Sequence, residues 1–269
     1  MTDRYAVIGN PVEHSRSPQI HAAFARETGE DIEYARLLAP LDGFRSTVDA
    51  FRADRGRGLN VTVPFKAQAY RLATVHSERA RAAEAVNTLR FDAGGTYGDN
   101  TDGTGLVRDI RDNLGFAIAG RRVLLLGAGG AARGVIAPLL AESPSSLTIA
   151  NRTLDRARSL ERHFGQRVRA SAYEALSGTR FDIVVNATSA SLAGTLPPLP
   201  AGVFAPDSLG YDMMYGKGLT PFLERARDEG AARVADGLGM LVEQAAESFF
   251  IWRGVRPKTA AVLAALRAQ

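Results

Sequence analysis

The sequence predicts an α/β fold of two domains, and three observations carry that expectation. Short β-branched runs alternate with amphipathic stretches along the chain, the pattern of strands joined by helices in mainly parallel sheets. One strand–turn–helix unit opens the chain, and a second, more apolar one begins at Arg122. At 269 residues and 45% hydrophobic content, the chain can fill one large core or two smaller ones.

Residues 5–8 form the first expected strand, ended by Gly9, Asn10 and Pro11. Ser17 is expected to cap a helix with Pro18 at its first position, Ile20 and Phe24 on the buried stripe and Gly29 at its stop. Further strands are expected at 32–38, 59–63 and 86–91, and the segment 99–114 opens with turn residues and becomes helical. The second unit runs from a strand at 122–126 through a glycine-rich turn and a helix ending near Ala141 to a strand at 147–150. Strands at 181–185 and near 209–211 continue it, and helices near 238–253 and 258–267 close the chain.

Composition removes several function classes. With no cysteine there is no disulfide, thiolate metal site or cysteine nucleophile, and four scattered histidines make no metal cluster, so no metal is expected. The start lacks a signal-peptide layout and no apolar run is long enough to span a membrane, which points to a cytoplasmic protein. The net charge of +4 comes from 33 basic and 29 acidic residues, and only Lys66, Lys217 and Lys258 are lysines. Residues 121–180 hold ten arginines and four acids, a local +6. A nucleic-acid role would need a basic stripe with interleaved aromatics, and none is present.

The turn Gly127, Ala128, Gly129, Gly130, Ala131, Ala132 follows an apolar strand and opens a helix, the context of a dinucleotide-binding fingerprint. Glycines allow a tight turn and close approach to a pyrophosphate, Ala132 lets helix and strand pack, and the helix N-terminus faces the phosphates. The next strand ends in Asn151, Arg152 and Thr153, with Arg156 a turn later. Where an NAD site carries an acid, two guanidiniums here suit a 2′-phosphate, so NADP(H) is the expected cofactor.

A second polar set lies in the first hundred residues. Ser15 and Ser17 flank a helix start, Asn60 and Thr62 share one strand face, and Lys66 sits just past the break at Pro64. Asn87 lies at a strand start and Asp102 at an expected helix N-terminus. Such a set suits a small polyhydroxylated carboxylate; each residue read singly also fits a cap, a turn or a solvated charge.

Taken in order, these blocks resemble the shikimate/quinate dehydrogenase family over nearly the whole chain. They are Ile8–Pro11, Ser15–Pro18, Asn60–Lys66, Ala85–Thr88, Gly98–Gly103, Gly127–Gly134, Asn151–Thr153, Asn186–Ser189, Tyr211–Tyr215 and Ala235–Met240. The resemblance implies an N-terminal substrate domain of residues 1–102 plus 238–269 and a Rossmann-type NADP-binding domain of residues 103–237. It implies that the substrate meets Ser15, Ser17, Asn60, Thr62, Lys66, Asn87, Asp102, Tyr215 and Gln244. The cofactor is implied to meet the turn 127–132, Asn151, Arg152, Thr153 and Arg156, with Thr188, Met213 and Gly237 on the nicotinamide side. Two departures stand out: Arg16 replaces a frequent lysine at a position expected to face solvent, and residues 190–194 lack the early glycine common after Asn-Ala-Thr-Ser.

The implied reaction is reversible NADPH-dependent reduction of 3-dehydroshikimate to shikimate, a step toward chorismate and the aromatic amino acids. Lys66 and Asp102 are its candidate catalytic pair, with the proton-transferring member left open. Alternatives are quinate or NAD use within the same fold, a non-catalytic NADP-binding sensor, and a nucleic-acid-binding protein. The expected partner is a small-molecule substrate, with no nucleic acid and no membrane, and the sequence does not choose between monomer and homodimer.

Overall fold

Tyr5, Ala6, Val7 and Ile8 are all buried, so the first strand is apolar on both faces because both are covered. The computed structural model describes residues 2–188, 195–216 and 218–269, in two compact units. The first unit runs to Gly105 and resumes at Val242; the second is Leu106–Leu241.

In chain order the first unit contains β1 (Asp3–Gly9), α1 (Ser17–Thr28), β2 (Ile32–Leu38), α2 (Phe44–Ala53) and β3 (Gly56–Val61). It continues with α3 (Lys66–Leu72), β4 (Val75–His76), α4 (Glu78–Ala83), β5 (Thr88–Asp92), β6 (Gly95–Asp99) and the start of α5 (Asp102–Arg108). The sheet order is β2-β1-β3-β5-β6-β4. The β1/β2, β1/β3 and β4/β6 pairs are parallel, but β5 pairs antiparallel with both β3 and β6. The unit is mainly parallel as expected, with β5 as its one strand antiparallel to both neighbours. A hairpin turning at Ala93 and Gly94 replaces a helical crossover, and two residues suffice for an antiparallel return.

The same hairpin corrects the reading of Asp99 as a turn residue, since it lies in β6 with Gly98. Gly98 is dictated by packing: a Cβ there would come within 2.7 Å of Ala73 Cβ and 2.8 Å of Val86 Cγ2. Ser17 does not cap α1; Arg16 holds that position with no side-chain cap bond, and Gly29 ends the helix in the left-handed region at φ 74.

The second unit contains β7 (Arg122–Leu126), α6 (Gly130–Ala141), β8 (Ser146–Ala150), α7 (Leu154–Phe164), β9 (Val168–Ser171) and β10 (Phe181–Asn186). It ends with β11 (Phe204–Asp212), α8 (Pro221–Asp228), β12 (Arg233–Asp236) and the start of α9 (Leu238–Arg253). Its six strands are all parallel, in the order β12-β11-β10-β7-β8-β9. The pleat sends Val123 and Leu125 into one core and Leu124 and Leu126 into another, so each sheet face is covered. On α6, Ala132, Val135, Ile136 and Leu139 form the helical stripe against the first core. The strand order reverses direction between β7 and β10, the position where open parallel sheets leave a crevice beyond their carboxyl ends.

After α9, α10 (Ala260–Arg267) completes the first unit. Trp252 of α9 stacks on Tyr5 at 4.6 Å and donates from Nε1 to the Leu89 carbonyl at 2.9 Å, pinning the returning helix to the sheet. Among the described residues no helix is long and apolar enough to cross a membrane.

Candidate active site

Three element ends in the first unit bring Lys66, Asn87 and Asp102 together. β3 stops at Val61, the chain turns through Pro64, and Lys66 is the first residue of α3. Asp102 is the first residue of α5, and Asn87 immediately precedes β5. Lys66 Nζ donates to Asp102 Oδ2 at 2.5 Å, and Asn87 Nδ2 donates to the other carboxylate oxygen at 2.8 Å. The Asp102 backbone N–H donates to Asn100 Oδ1 at 3.2 Å, which fixes the turn from which the carboxylate projects. Asn87 is itself oriented: its Oδ1 accepts from the Thr101 N–H at 2.8 Å and from Thr88 Oγ1 at 2.9 Å.

A buried ion pair underlies this turn. Asp99 accepts from Arg79 Nη2 at 2.7 Å, from Ser77 Oγ at 2.5 Å and from the Asn100 N–H at 2.7 Å. Burial alone would push the Asp99 carboxyl up; Arg79, Ser77 and the Asn100 N–H outweigh it and hold it below the usual carboxylate range. Arg79 also reaches Glu247 at 3.1 Å, tying the turn to α9.

Asn60 is buried on β3. Its Oδ1 accepts from the Tyr34 hydroxyl at 2.7 Å, and its Nδ2 donates to Ser248 Oγ at 2.9 Å and to the Asn87 carbonyl at 3.3 Å. Gln244 of α9 is half-buried, with Oε1 3.3 Å from Asn87 Nδ2. Ser15 Oγ donates to Ser17 Oγ at 3.1 Å, and the Ser15 carbonyl accepts from Arg36 Nη2 at 2.6 Å. Thr62, half-buried just past β3, lies over Gly9, where a Cβ would approach Thr62 Cγ2 to 2.4 Å.

Arg16 does not face solvent as expected. It is half-buried and donates to the Leu266 carbonyl at 3.4 Å, a cation near the last turn of α10.

The second unit gathers its set at the carboxyl edge of its sheet. Gly127 follows β7 at φ 103, and a Cβ there would lie 3.1 Å from Thr188 Cγ2. At Gly129 and Gly130 a Cβ would meet no described residue within 4 Å, so among the described residues the space above the turn is open. No side chain caps α6 and its first turn holds no acid, which leaves its N-terminal N–H groups facing that space. Ala128 and Ala131 are half-buried and Ala132 is fully buried in the core beneath.

Asn151 closes the end of β8, its Nδ2 donating to the Thr153 carbonyl at 2.8 Å. Arg152, Thr153 and Arg156 are exposed, and neither arginine pairs with a carboxylate among the described residues. Thr188 Oγ1 donates to Asn186 Oδ1 at 2.7 Å, and the Met213 N–H donates to the Asn186 carbonyl at 2.9 Å. Gly237 packs on this loop so closely that a Cβ would fall 2.2 Å from the Met213 carbonyl oxygen. Tyr215 is half-buried in the segment after β11. Ser189, the loop 190–194 and Lys217 lie outside the described residues.

The chain that carries these two polar sets matches known proteins from end to end. A relative from Nitrosospira multiformis named shikimate dehydrogenase (NADP(+)) is 63% identical over 99% of this chain and 98% of its own. The chain belongs to the shikimate dehydrogenase family. Three family models divide it: the shikimate dehydrogenase substrate binding domain on residues 7–89, shikimate / quinate 5-dehydrogenase on 110–193, and the shikimate 5′-dehydrogenase C-terminal domain on 237–267. The crystal structure of an Ael1 enzyme from Pseudomonas putida is 54% identical with a TM-score of 0.94, covering 98% of each chain. Shikimate 5-dehydrogenase from Thermus thermophilus, solved with NADP(H) and shikimate, is 32% identical with a TM-score of 0.89, covering 99% of each chain.

Within this shikimate dehydrogenase fold, sequence reading missed Tyr34, Thr101 and Ser248. Thr101 is fully buried beside Asp102, and its hydroxyl lies 2.9 Å from Asn87 Nδ2. Its neighbours in the Gly98–Gly103 block pointed to the position, but a threonine in a turn carries no signal of its own. Tyr34 looks like any strand tyrosine and Ser248 like any helix serine until their partners are seen.

Proposed function

We propose that the chain catalyses the reversible NADPH-dependent reduction of 3-dehydroshikimate to shikimate. The observation that carries this reading is the Lys66–Asp102 contact at 2.5 Å, set among neutral hydrogen-bonding groups. One cation, one anion and a surrounding set of amides and hydroxyls suit a small polyhydroxylated carbonyl compound. The first unit then holds the substrate through Ser15, Ser17, Asn60, Thr62, Asn87 and Gln244.

The second unit fits NADP(H). The space over Gly129 and Gly130 admits a pyrophosphate, and among the described residues Arg152 and Arg156 have no carboxylate partner. When bound, the dinucleotide supplies the two-electron redox equivalent. Thr188, Met213 and Gly237 border the nicotinamide end, and Asn151 and Thr153 the ribose end.

The remaining chemistry belongs to this chain. As a C–H bond forms at the carbonyl carbon, the C=O π electrons move to oxygen, which must then take a proton. The Lys66 ammonium donates to that oxygen and stabilises the developing charge. Asp102, held by Asn87, keeps Nζ aimed and accepts from a substrate hydroxyl. In the reverse direction the same pair takes up the proton. Mixing the protein with shikimate and NADP+ is expected to raise absorbance at the reduced-nicotinamide band. Quinate and NAD+, assayed in the four combinations, should each give lower kcat/KM, and no turnover with shikimate under any pairing would overturn the reading.

A further inference from the structure

We infer that Tyr34 is a positioning residue that fixes the Asn60 amide for substrate. The inference rests on the functional reading above, in which Asn60 and the serines meet the substrate.

Tyr34 and Arg36 alternate onto one face of β2, so a single edge strand reaches two parts of the site. Arg36 holds the Ser15 carbonyl at 2.6 Å, and the Tyr34 hydroxyl donates to Asn60 Oδ1 at 2.7 Å. The Tyr34 ring is fixed by stacking on His21 at 4.2 Å with planes 6° apart. An amide oxygen can only accept, so the phenol's single proton is the one directed at Asn60.

That proton decides which way the amide points. With Oδ1 engaged by Tyr34, Nδ2 faces Ser248 Oγ at 2.9 Å and the Asn87 carbonyl at 3.3 Å, both able to accept. A flipped amide would set oxygen against the Asn87 carbonyl oxygen and leave an acceptor pair unsatisfied. Burial pushes the phenol well above its ordinary value of 10.0, with Ser17 offsetting only part, so the hydroxyl remains a donor at working pH. The result is a directed chain from Tyr34 through Asn60 to Ser248.

The test is Tyr34→Phe, which keeps the ring and its stack but removes the hydroxyl. An unsatisfied buried acceptor costs on the order of a tenfold change in an equilibrium. The expected result is a rise in KM for shikimate of about tenfold, with kcat and KM for NADP+ changed less than about threefold. In an Asn60→Ala background the same substitution should alter KM for shikimate less than about twofold, because its effect runs through Asn60. An unchanged KM, an equal rise in the Asn60→Ala background, or a parallel loss of NADP+ affinity overturns the inference. An inactive wild type overturns this inference and the functional reading together; an active wild type with an indifferent Tyr34→Phe overturns this inference alone.

Discussion

The polar cluster of the first unit is made of side chains that already hold one another, whereas the glycine turn of the second unit offers backbone groups and guanidiniums that await a partner. Lys66, Asp102, Asn87 and Asn60 each have a protein partner within 3.3 Å or less. Arg152 and Arg156 have no carboxylate among the described residues, although Arg122, Arg111 and Arg158 of the same unit are all paired. On the proposed reading the contrast divides the task. If Lys66 and Asp102 act on the reacting atom, they are fixed in advance and little reorganisation is needed at the moment of reaction. If Arg152 and Arg156 meet a 2′-phosphate, their charge is left available to it.

The largest test of this division is Lys66→Ala. If the pair acts in the transition state, kcat should fall by about a thousandfold while KM for shikimate moves far less. A near-normal kcat would reduce the paired cluster to a binding device and erase the contrast.

The next test uses the exception inside the paired region. His21 is fully buried, and neither ring nitrogen has a hydrogen-bond partner. Burial pushes it down from 6.5 to about 3, with nearby Asn60 offsetting little. Between those values the unfolded chain binds the proton that the folded chain refuses. Its contribution to stability is therefore complete above about 6.5 and is lost progressively as pH falls toward 3. Urea unfolding at pH 5 should give about 2 kcal/mol less stability than at pH 7. His21→Phe should remove most of that difference; an equal loss in the variant would assign it elsewhere.

The smallest effect is expected on the uncompensated side. Arg152→Ala should weaken NADP+ binding by about tenfold, as expected for one charge-assisted contact, and NAD+ binding by less than about twofold. Measured by fluorescence titration, an equal change for both dinucleotides would show that Arg152 does not read the 2′-phosphate.

The two regions also differed in how far the sequence disclosed them. The turn at Gly127–Ala132 was legible because a backbone-built site demands glycines at fixed spacing after an apolar strand, and β7 and α6 lie where that pattern put them. The side-chain cluster was legible in residue type but not in pairing. Asn87 was visible as a polar residue at a strand start, yet nothing local said that it would grip Asp102. The antiparallel hairpin of β5 and β6 escaped notice because Gly95 and Gly98 imitate turn residues in a strand with few apolar positions. Arg16 misled for the opposite reason: its partner, the Leu266 carbonyl, lies 250 residues away.

One feature of the chain path bears on how the molecule is made. The second unit is continuous in sequence, while the first is interrupted by it and completed only by Val242–Gln269. During synthesis, therefore, every residue of the second unit has emerged before Gln244, Ser248 and Trp252 exist to finish the first. Until then Asn60 lacks its Ser248 partner and Tyr5 its indole neighbour, so the nascent sheet presents an uncovered face. The later-numbered unit is the one able to mature first, and the buried amide of Asn60 near the start of the chain waits on its final helices.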